Sequence, residues 1–556
     1  MEDDIYMSLR SDDHSEVVMK LYEKIKLMPF VIYVEQKSEE ESDVCRKQGN
    51  EAFKLHCYRD ALKFYNKALC YAPKDSRSLN LAYSNRSALL YEIGEFHFAL
   101  KDIKICYRLG CPDDILRKLK VREKKCYQQK QTNYVVDVTK KMISSANCLY
   151  LGADRSNEIP CASRAVKLDT AGPQSRVIAA EDIDVGTVVA SEMAFVNTSA
   201  NNEGAYLQCY HCVKSSLNLI PCNNCCSVMF CDENCKNMSI DEYHGVECKL
   251  LDRRFTCMVN SALKAVIKMK NKCKSWDEFI KASNEIIKIN QTQESLQHMK
   301  LFSDINPFSL LHNTKNTYVP FGKKIERAII TTLLIECLED RRSYFPTAQK
   351  EKLLAIRATA NLLMHLFLYS REIILKQIAV VSAESMESVH YFTHGFYIFL
   401  GNLEHSCHPN LIVTAMNNKA VLTAIQPIQR GAPLTISYVG HYLLRENLNI
   451  ELNIYGALGI VCSCKVCTNK WGEVFAKDYK LSPAQEEYLR EIDLENILRM
   501  HLHHGVVGFY RKLCQGLKVF ADLPNTMEYK KVFMAFIQYL DMYCCIETDN
   551  KILGDK

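Results

Sequence analysis

Four closely spaced pairs of cysteine and histidine residues lie between Cys209 and Cys248, and they constrain the fold more than any other feature of the sequence. The pairs are Cys209 with Cys212, Cys222 with Cys225, Cys231 with Cys235, and His244 with Cys248. A tight turn or one helical turn brings both donors of such a pair onto one tetrahedral ion, and two pairs complete the coordination of one Zn²⁺. Eight donors therefore predict two zinc ions, which are structural because a closed four-ligand site leaves no position for a substrate.

The chain contains 26 cysteines, a number that would suggest a disulfide framework in a secreted protein. However, the sequence begins Met1-Glu2-Asp3-Asp4, without the basic and apolar regions of a signal peptide, and it holds no run of about 18 apolar residues. We therefore expect a protein of the cytoplasm and the nucleus that does not span a membrane. In a reducing compartment such cysteines more often bind metal, and a redox role would need a thioredoxin-like βαβ context that the pattern does not provide.

Basic and acidic residues are nearly balanced along the chain, with 70 of the first kind and 65 of the second. The resulting formal charge of +5 gives no strong signal for nucleic-acid binding. The densest basic stretch is predicted to be the solvated face of a helix, with a nuclear import signal as the alternative. It consists of Arg117, Lys118, Lys120, Arg122, Lys124 and Lys125.

Two copies of a helical pattern lie between Arg46 and about Tyr127. The first contains Gly49, Asn50, Phe53, Tyr58, Ala61, Tyr65, Ala68 and Pro73, and the second contains Asn85, Ser87, Tyr91, Gly94, Phe96, Ala99 and Pro112. Small residues where helices would touch, aromatic residues between them and a closing proline are the pattern of a tetratricopeptide repeat. A third helical stretch after Asp113 would close the stack, because a repeat cannot bury its apolar face alone. An unrelated helical hairpin domain is the alternative.

The remainder of the chain alternates between β-like and helical character. β-like stretches occupy residues 166–195, 411–416, 420–424 and 434–438. Residues from about 249 to 389 are predicted to be mostly helical, and so is the tail from about 483 to 545. Apolar residues recur at helical spacing in that tail, and we expect them to form core rather than a ligand groove. They are Phe509, Leu513, Leu517 and Phe520.

Three further motifs follow the helical stretch. Residues 405–410 read His-Ser-Cys-His-Pro-Asn, residues 436–438 read Ile-Ser-Tyr, and cysteines stand at 462, 464 and 467. Taken in order with the inserted cysteine block, these motifs resemble the SET and MYND family of protein-lysine methyltransferases over about residues 165–470. The preceding repeats resemble the family member with N-terminal tetratricopeptide repeats. The resemblance implies an enzyme that transfers a methyl group from S-adenosylmethionine to a lysine of a histone or non-histone protein.

The predicted architecture is a multidomain α+β protein. It has N-terminal all-α tetratricopeptide repeats, a β-rich SET domain with an inserted two-zinc MYND finger and a helical insert, a post-SET zinc site and a C-terminal all-α region. The expected boundaries are 1–40 for an acidic N-terminal segment, 41–145 for the repeats, 160–208 for the first SET part, 209–248 for the MYND finger, 249–389 for the helical insert, 390–445 for the second SET part, 446–470 for the post-SET motif and 471–556 for the C-terminal helices. One helix is expected in the acidic segment, around residues 17–27.

The resemblance also assigns the ligands of each metal ion. It implies that Cys209, Cys212, Cys231 and Cys235 hold one zinc ion and that Cys222, Cys225, His244 and Cys248 hold the other, which leaves Cys226 as a spectator thiol. The thiolates of Cys462, Cys464 and Cys467 need a fourth ligand, which the resemblance implies is Cys407. Three zinc ions are therefore expected, the third of which would hold the C-terminal flap over the active site.

By the same resemblance, Tyr438 would orient the substrate amine and Tyr455 would be the second tyrosine of the site. For Tyr438 the alternative is an ordinary aromatic residue at the end of a β-strand. The residues expected to contact the cofactor are Arg176, Val177, Glu404 and His405.

Three positions on the cofactor side depart from the family pattern. The first strand reads Ser175-Arg176-Val177 without a glycine, Glu404 replaces an asparagine, and no asparagine occurs between Leu362 and Ser385, where the family places one against the cofactor. Glycine permits a close backbone approach that a β-branched residue cannot reproduce. At about 1 to 2 kcal/mol each, the departures would lower cofactor affinity roughly a hundredfold to ten-thousandfold, unless Glu404 compensates by holding the cofactor's ammonium.

Two functions of different classes follow from these motifs. One is a methyltransferase, and the other is an interaction scaffold whose SET domain is inactive. The repeats resemble those that hold the acidic C-terminal tails of chaperones, and solvated helix faces are the alternative. The residues expected to hold the carboxylates are Arg46, Asn50, Asn85, Lys118 and Arg122. The MYND finger of this family binds proline-containing peptides, so such peptides are also expected partners.

Overall fold

A computed structural model gives the fold and describes residues 7–9, 13–27, 34–130, 151–169, 176–199, 206–250, 256–292, 308, 319–342, 344–380, 388–416, 419–444, 459, 461–471, 475–492, 494 and 497–544. Tyr455, a candidate residue of the active site, lies outside this set, and so does Ser175 of the first strand motif. The main helices are α1 (His14–Ile25), α2 (Glu39–Lys54), α3 (Tyr58–Tyr71), α4 (Arg77–Glu92), α5 (Phe96–Arg108), α6 (Asp113–Lys130), α7 (Glu233–Ser239), α8 (Cys257–Lys272), α9 (Trp276–Thr292), α10 (Phe321–Arg342), α11 (Gln349–Tyr369), α12 (Lys465–Thr468), α13 (Pro483–Glu491), α14 (Ile497–Val519) and α15 (Met527–Cys544). The strands are β1 (Val166–Asp169), β2 (Arg176–Ala179), β3 (Val188–Met193), β4 (Val196–Ser199), β5 (Ile220–Pro221), β6 (Met229–Phe230), β7 (Glu372–Val380), β8 (Ser388–Phe396), β9 (Glu404–His405), β10 (Leu411–Met416), β11 (Lys419–Ala424) and β12 (Thr435–Ile436).

Helices α2 to α6 form the N-terminal repeats, and they confirm the predicted all-α repeat architecture. Each of these helices packs against the next one in the chain. Gly49 stands where α2 crosses α3, because a β-carbon at this position would lie 2.6 Å from the Tyr65 ring. The side chains of Ser38 and Ser76 cap α2 and α4 by accepting hydrogen bonds from backbone N–H groups of the first turn.

The SET region is built from several small sheets. β11 pairs in antiparallel fashion with both β10 and β3, and β1 pairs with β2. β9 and β12 form a short parallel pair that sets Thr435 opposite Glu404 and Ile436 opposite His405. Two chain segments separated by the β10–β11 hairpin therefore lie side by side at the site described below.

The prediction of helices up to residue 389 is wrong in its last part. α11 ends at Tyr369, and residues 372–380 form β7, which pairs with β8 along its whole length. Ile373 and Leu375 are buried, whereas Ile374 between them is 57% exposed, which is the period-two pattern of a strand. The β-branched residues of this run fit the pleated surface of a sheet, and pairing with β8 satisfies their backbone groups.

Helix α1 packs in a groove between α10 and α11, far from its place in the sequence. The His14 ring lies 3.1 Å from the hydroxyl of Tyr369, which is 355 residues further along the chain. Burial first, and then the neighbouring His365, lower the pKa of His14 to about 3, so its ring is neutral near pH 7. The N–H of Ser15 donates to the Asn361 side chain at 2.7 Å, which fixes the start of the helix on α11.

The C-terminal helices α13 to α15 pack on the other face of the SET strands. The predicted stripe of Phe509, Leu513, Leu517 and Phe520 is fully buried, which confirms that it forms core. Tyr510 donates to the carbonyl of Gly186 at 2.8 Å and joins α14 to the turn before β3. In the part of the chain described above, no helix combines the length and apolar character needed to cross a membrane.

Candidate metal centres and active site

Twelve side chains form three clusters of four, and in each cluster the ligand atoms lie within 4.8 Å of one another. The clusters are Cys209, Cys212, Cys231 and Cys235; Cys222, Cys225, His244 and Cys248; and Cys407, Cys462, Cys464 and Cys467. The finger thus has the interleaved pairing that the resemblance implied. The third cluster joins Cys407, at the end of the β9 segment, to the three cysteines around α12.

The distances inside the clusters fit a tetrahedral zinc ion. With zinc–sulfur bonds of about 2.3 Å, two sulfurs of one tetrahedron lie about 3.8 Å apart. The Sγ atoms of Cys212 and Cys231 are 3.7 Å apart, and those of Cys407 and Cys467 are 3.6 Å apart. Sets of thiolates, or of thiolates with one imidazole, favour zinc in this geometry. We conclude that all three clusters bind zinc.

The ligands of a cluster affect one another's ionisation, as the four thiols of the first cluster illustrate. Hydrogen bonds from neighbouring thiols, that of Cys212 first, lower the pKa of Cys209. The contacts with Cys209 in turn raise the pKa of Cys231 and of Cys235. One thiolate is therefore stable by itself, and ionisation of the whole set needs a divalent cation at its centre.

A buried polar network stands behind the histidine ligand of the finger. Glu247 Oε1 lies 3.4 Å from His244 Nδ1 and accepts a hydrogen bond of 2.7 Å from the Tyr210 hydroxyl. The ammonium of Lys264 on α8 lies 3.5 Å from the centroid of the Tyr210 ring and donates to the carbonyl of Asn197 at 3.0 Å. Burial lowers the pKa of Lys264 to about 8. A carboxylate behind an imidazole ligand fixes the ring, so this network links the finger to the SET region.

The finger packs against the repeats through a buried ion pair. Arg86 on α4 is fully buried, and its guanidinium donates to both carboxylate oxygens of Asp102 at 2.8 Å. Its Nη1 also donates to Asn66 Oδ1 and to the finger carbonyl of Leu219, each at 2.6 Å. Asn218 of the finger donates to the same Asp102 carboxylate at 2.5 Å. The repeats and the finger therefore share one polar network.

Tyr438 lies where β9 and β12 meet. Its hydroxyl is 2.7 Å from the carbonyl oxygen of Leu400 and 2.9 Å from that of Leu403, to which it donates. Its backbone N–H donates to His405 Nδ1 at 3.3 Å. Burial raises the pKa of Tyr438, so the side chain stays a hydroxyl. The result is a fixed hydroxyl beside two backbone carbonyls, an arrangement that can hold and orient an amine.

The turn that carries these carbonyls is held by a buried carboxylate. Glu192 on β3 accepts hydrogen bonds from the N–H groups of Phe399 at 2.8 Å and of Leu400 at 2.9 Å. Both oxygens of Glu192 are thus engaged, and the turn is fixed relative to the β3–β11 sheet. Sequence reasoning did not identify Glu192, because its role depends on tertiary contact alone.

Arg371 is a second residue of this site that sequence reasoning missed. It follows α11 directly, its Nη1 donates to the Leu403 carbonyl at 3.1 Å, and its guanidinium carbon lies 4.7 Å from the centroid of the Tyr438 ring. Arg371 stands in the interval between residues 362 and 385 that lacks the family's asparagine. A charged residue inside that apolar run was the signal that could have identified it.

The four residues predicted to contact the cofactor do not all lie together in the structure. The Arg176 Nε lies 3.1 Å from Glu404 Oε1, and the two side chains are 57% and 42% exposed. His405 lies against Tyr438, as described above. Val177 is buried in β2, where its carbonyl accepts a hydrogen bond from Leu434. The structure therefore brings Arg176 and Glu404 together and turns the Val177 side chain into the core.

Of the residues predicted to hold an acidic tail, the structure brings two into contact. Asn85 Nδ2 donates to Asn50 Oδ1 at 2.7 Å. Arg46 pairs with an aspartate of its own helix at 3.0 Å, and Lys118 is exposed on α6. Arg122 donates to a backbone carbonyl of α4 at 2.9 Å, so it joins α6 to α4. Asn50 and Asn85 are thus the two of these five residues that lie in direct contact, and binding of an acidic tail stays a prediction.

Comparison with known proteins gives matches in the regions that carry these sites. The SET domain family matches residues 174–439. A protein named "Protein-lysine N-methyltransferase SMYD4" from Gallus gallus is 27% identical over 267 residues, which cover 37% of this chain and 36% of the chicken protein. The protein of the same name from Homo sapiens is 20% identical over 532 residues, which cover 76% of this chain and 66% of the human protein. The chain therefore spans less than two thirds of the length of these relatives.

The repeats have relatives of another kind. A protein named "Hsp70-Hsp90 organizing protein" from Triticum aestivum is 41% identical over 68 residues, which cover 12% of this chain and 11% of the wheat protein. This short similarity concerns the N-terminal repeats alone.

Proposed function

We propose that this chain, which belongs to the SET and MYND family, is a protein-lysine N-methyltransferase that uses S-adenosylmethionine. Its substrate would be a lysine of a histone or non-histone protein. The observation that carries the proposal is the Tyr438 hydroxyl, held beside the carbonyls of Leu400 and Leu403 inside the segment that matches the SET domain. The post-SET zinc cluster, which starts from Cys407 two residues after β9, supports the same assignment.

The reaction needs a neutral amine held in one orientation. Free lysine has a pKa of about 10.4, so the amine must lose its proton before it attacks. In the proposed site the carbonyls of Leu400 and Leu403 hold the Tyr438 hydroxyl in place. The hydroxyl oxygen accepts an N–H group of the amine and so limits the directions in which the amine lone pair can point. When bound, S-adenosylmethionine supplies an electrophilic methyl group on a positively charged sulfur. Because the three oxygens are fixed by the fold, alignment supplies much of the acceleration.

The residues near β9 fit the charges of this cofactor. An α-amino acid moiety carries one ammonium and one carboxylate. Glu404 and Arg176 offer the two complementary charges 3.1 Å apart, and both side chains are exposed enough to exchange partners. Glu404 would then hold the ammonium and Arg176 the carboxylate, which offsets the missing glycine and asparagine of the family pattern.

We expect Tyr438→Phe to lower methyl transfer about 10²- to 10³-fold, because it removes one fixed polar group from the reacting centre. The variant should still bind three zinc ions and should still be stabilised by S-adenosylmethionine, with a melting temperature that rises as the ligand exceeds its Kd. Transfer of a radiolabelled methyl group to cell-extract proteins measures the first effect, and differential scanning fluorimetry measures the second.

Tyr442→Phe is the matched control, because its hydroxyl donates to the Pro524 carbonyl away from this site. It should keep most of the turnover. If millimolar S-adenosylmethionine does not raise the melting temperature of the wild-type protein, the chain is a scaffold rather than an enzyme.

We propose further that the repeats bind acidic C-terminal tails of chaperones, since their relative is named for Hsp70 and Hsp90. The paired amides of Asn50 and Asn85 would donate to the terminal carboxylates. Asn85→Ala should then weaken binding of a chaperone tail peptide about tenfold or more, and Asn85→Asp should weaken it further through like charge. Calorimetry measures both, with the C-terminally amidated peptide as control. Equal affinity of wild type and Asn85→Ala would exclude the clamp.

The second candidate function is recruitment without catalysis. It is favoured by the cofactor side of the site, where the first strand lacks the family's glycine and Glu404 replaces an asparagine. In that case the repeats would bind their tails and the finger would bind proline-containing peptides, in the cytoplasm and the nucleus. The cofactor measurement described above separates this candidate from the first.

A further inference from the structure

The proposed amine site contains a cation, Arg371, that the proposed reaction does not use. The Arg371 guanidinium donates to the Leu403 carbonyl at 3.1 Å, the same oxygen that accepts from the Tyr438 hydroxyl at 2.9 Å. Its carbon lies 4.7 Å from the centroid of the Tyr438 ring. An amine held by the Tyr438 hydroxyl would therefore lie next to a permanent positive charge, since a guanidinium keeps its proton throughout the ordinary pH range.

We propose that Arg371 is a specificity-determining residue, which makes the site admit the neutral lysine amine and reject the protonated one. The inference rests on the function proposed above. A like charge within about 4 to 6 Å disfavours the charged form of a titrating group. No base needs to remove the proton inside the site, because the deprotonated fraction in solution is the form that binds.

Other charged groups face this position, and each is already engaged. Both oxygens of Glu192 accept backbone N–H groups of the turn, and Glu404 is paired with Arg176. His405 Nδ1 accepts from the Tyr438 N–H at 3.3 Å. The contacts of Arg371 at the site are a carbonyl and an aromatic ring, and neither carries a charge. Glu192 keeps its negative charge, so it and Arg371 act on the Tyr438 phenol in opposite directions, and the effect of Arg371 is the larger one.

The first test measures the electrostatic effect of Arg371 on the side chain at position 438 and does not depend on turnover. In the full-length, zinc-loaded protein, 3-fluorotyrosine is placed at position 438 and its phenol is titrated by ¹⁹F NMR. A neighbouring cation lowers the pKa of a phenol, so Arg371→Gln should raise it by about one unit, and Arg371→Lys should leave it near the wild-type value. An unchanged phenol pKa in Arg371→Gln overturns the inference, whether or not the protein is active.

The second test is the pH profile of kcat for methylation of cell-extract proteins, because kcat reports the pKa of the amine in the enzyme–substrate complex, whereas kcat/KM reports the free amine. With the cation removed, the amine keeps its proton to higher pH, so the acid limb of the profile should move up by about one unit in Arg371→Gln and stay in place in Arg371→Lys. An unmoved limb overturns the inference. A pH-independent gain in rate in both variants also overturns it, because Arg371 would then act only by blocking access to the site sterically.

The two tests separate this inference from the proposed function. Suppose that the phenol pKa shifts as expected but neither the wild type nor a variant transfers a methyl group at any pH. The enzyme proposal is then wrong, and so is the proposal that Arg371 selects the neutral lysine amine. If methyl transfer is observed while the phenol pKa and the acid limb stay unchanged, the enzyme stands and Arg371 has no electrostatic role.

Discussion

We expect Arg86→Ala to lower the free energy of unfolding of the repeats and finger by about 3 to 5 kcal/mol. The substitution leaves the Asp102 carboxylate buried without its counter-charge, since both of its oxygens accept from Arg86 at 2.8 Å. It also removes the donor to Asn66 and to the Leu219 carbonyl. Urea denaturation followed by circular dichroism measures the loss.

Helix α4 supplies a matched control for this prediction. Arg77 pairs with Asp114 at 3.3 Å, but both side chains are 59% exposed. Arg77→Ala should therefore cost about 1 kcal/mol or less. The double variant Arg86→Met, Asp102→Leu removes both buried charges and should recover much of the stability. Equal losses in Arg77→Ala and Arg86→Ala would contradict the dominance of the buried pair.

We expect Cys222→Ser to release one zinc ion and to unfold the finger locally, around the cluster of Cys222, Cys225, His244 and Cys248. Structural zinc contributes folding free energy directly, about 10 to 16 kcal/mol in zinc-finger peptides. Val228 and Phe230 of the finger pack in one core with Leu69 and Tyr71 of α3, so the repeats should lose stability as well. Elemental analysis should give two zinc ions per chain in the variant, against three in the wild type.

A neighbouring cysteine provides the control. Cys226 follows the ligand Cys225, but its thiol donates to the Glu35 carbonyl at 3.1 Å and takes no part in the metal cluster. Cys226→Ser should therefore keep three zinc ions and most of the stability. If it loses zinc as Cys222→Ser does, the ligand assignment is wrong. Wild-type protein that is fully folded with only two zinc ions after chelator washing would lack the post-SET site.

The metal sites were predictable because local spacing carries most of their information. Two donors separated by two or three intervening residues can share one ion whatever the rest of the chain does, and the finger contains four such pairs. The fourth ligand of the third site, Cys407, is distant in sequence, and only the motif around it identified the residue. The repeats were predictable for a similar reason, since their small and aromatic residues recur at fixed positions.

Other features depend on which surfaces meet, and spacing does not encode this. Arg86 lies in a helix where a charged residue suggests a solvated face, yet it is fully buried because Asp102 and the finger close over it. Arg371 reaches Tyr438 only because α11 ends just before it. Glu192 matters because the turn at Leu400 lies against β3. In each case the deciding partner comes from a distant segment.

The packing of α1 against α10 and α11 has a consequence for folding during biosynthesis. Its partner Tyr369 is 355 residues further along the chain than His14. At about 5 to 20 residues per second, a ribosome delivers that partner roughly 20 to 70 seconds after the helix has been made. During this interval the apolar side chains of Val17, Val18 and Tyr22, which are buried in the finished fold, have no surface to cover them. Helix α1 is synthesised long before α10 and α11, so it is among the last elements to reach its place, and nascent chains need protection there until α10 and α11 have emerged.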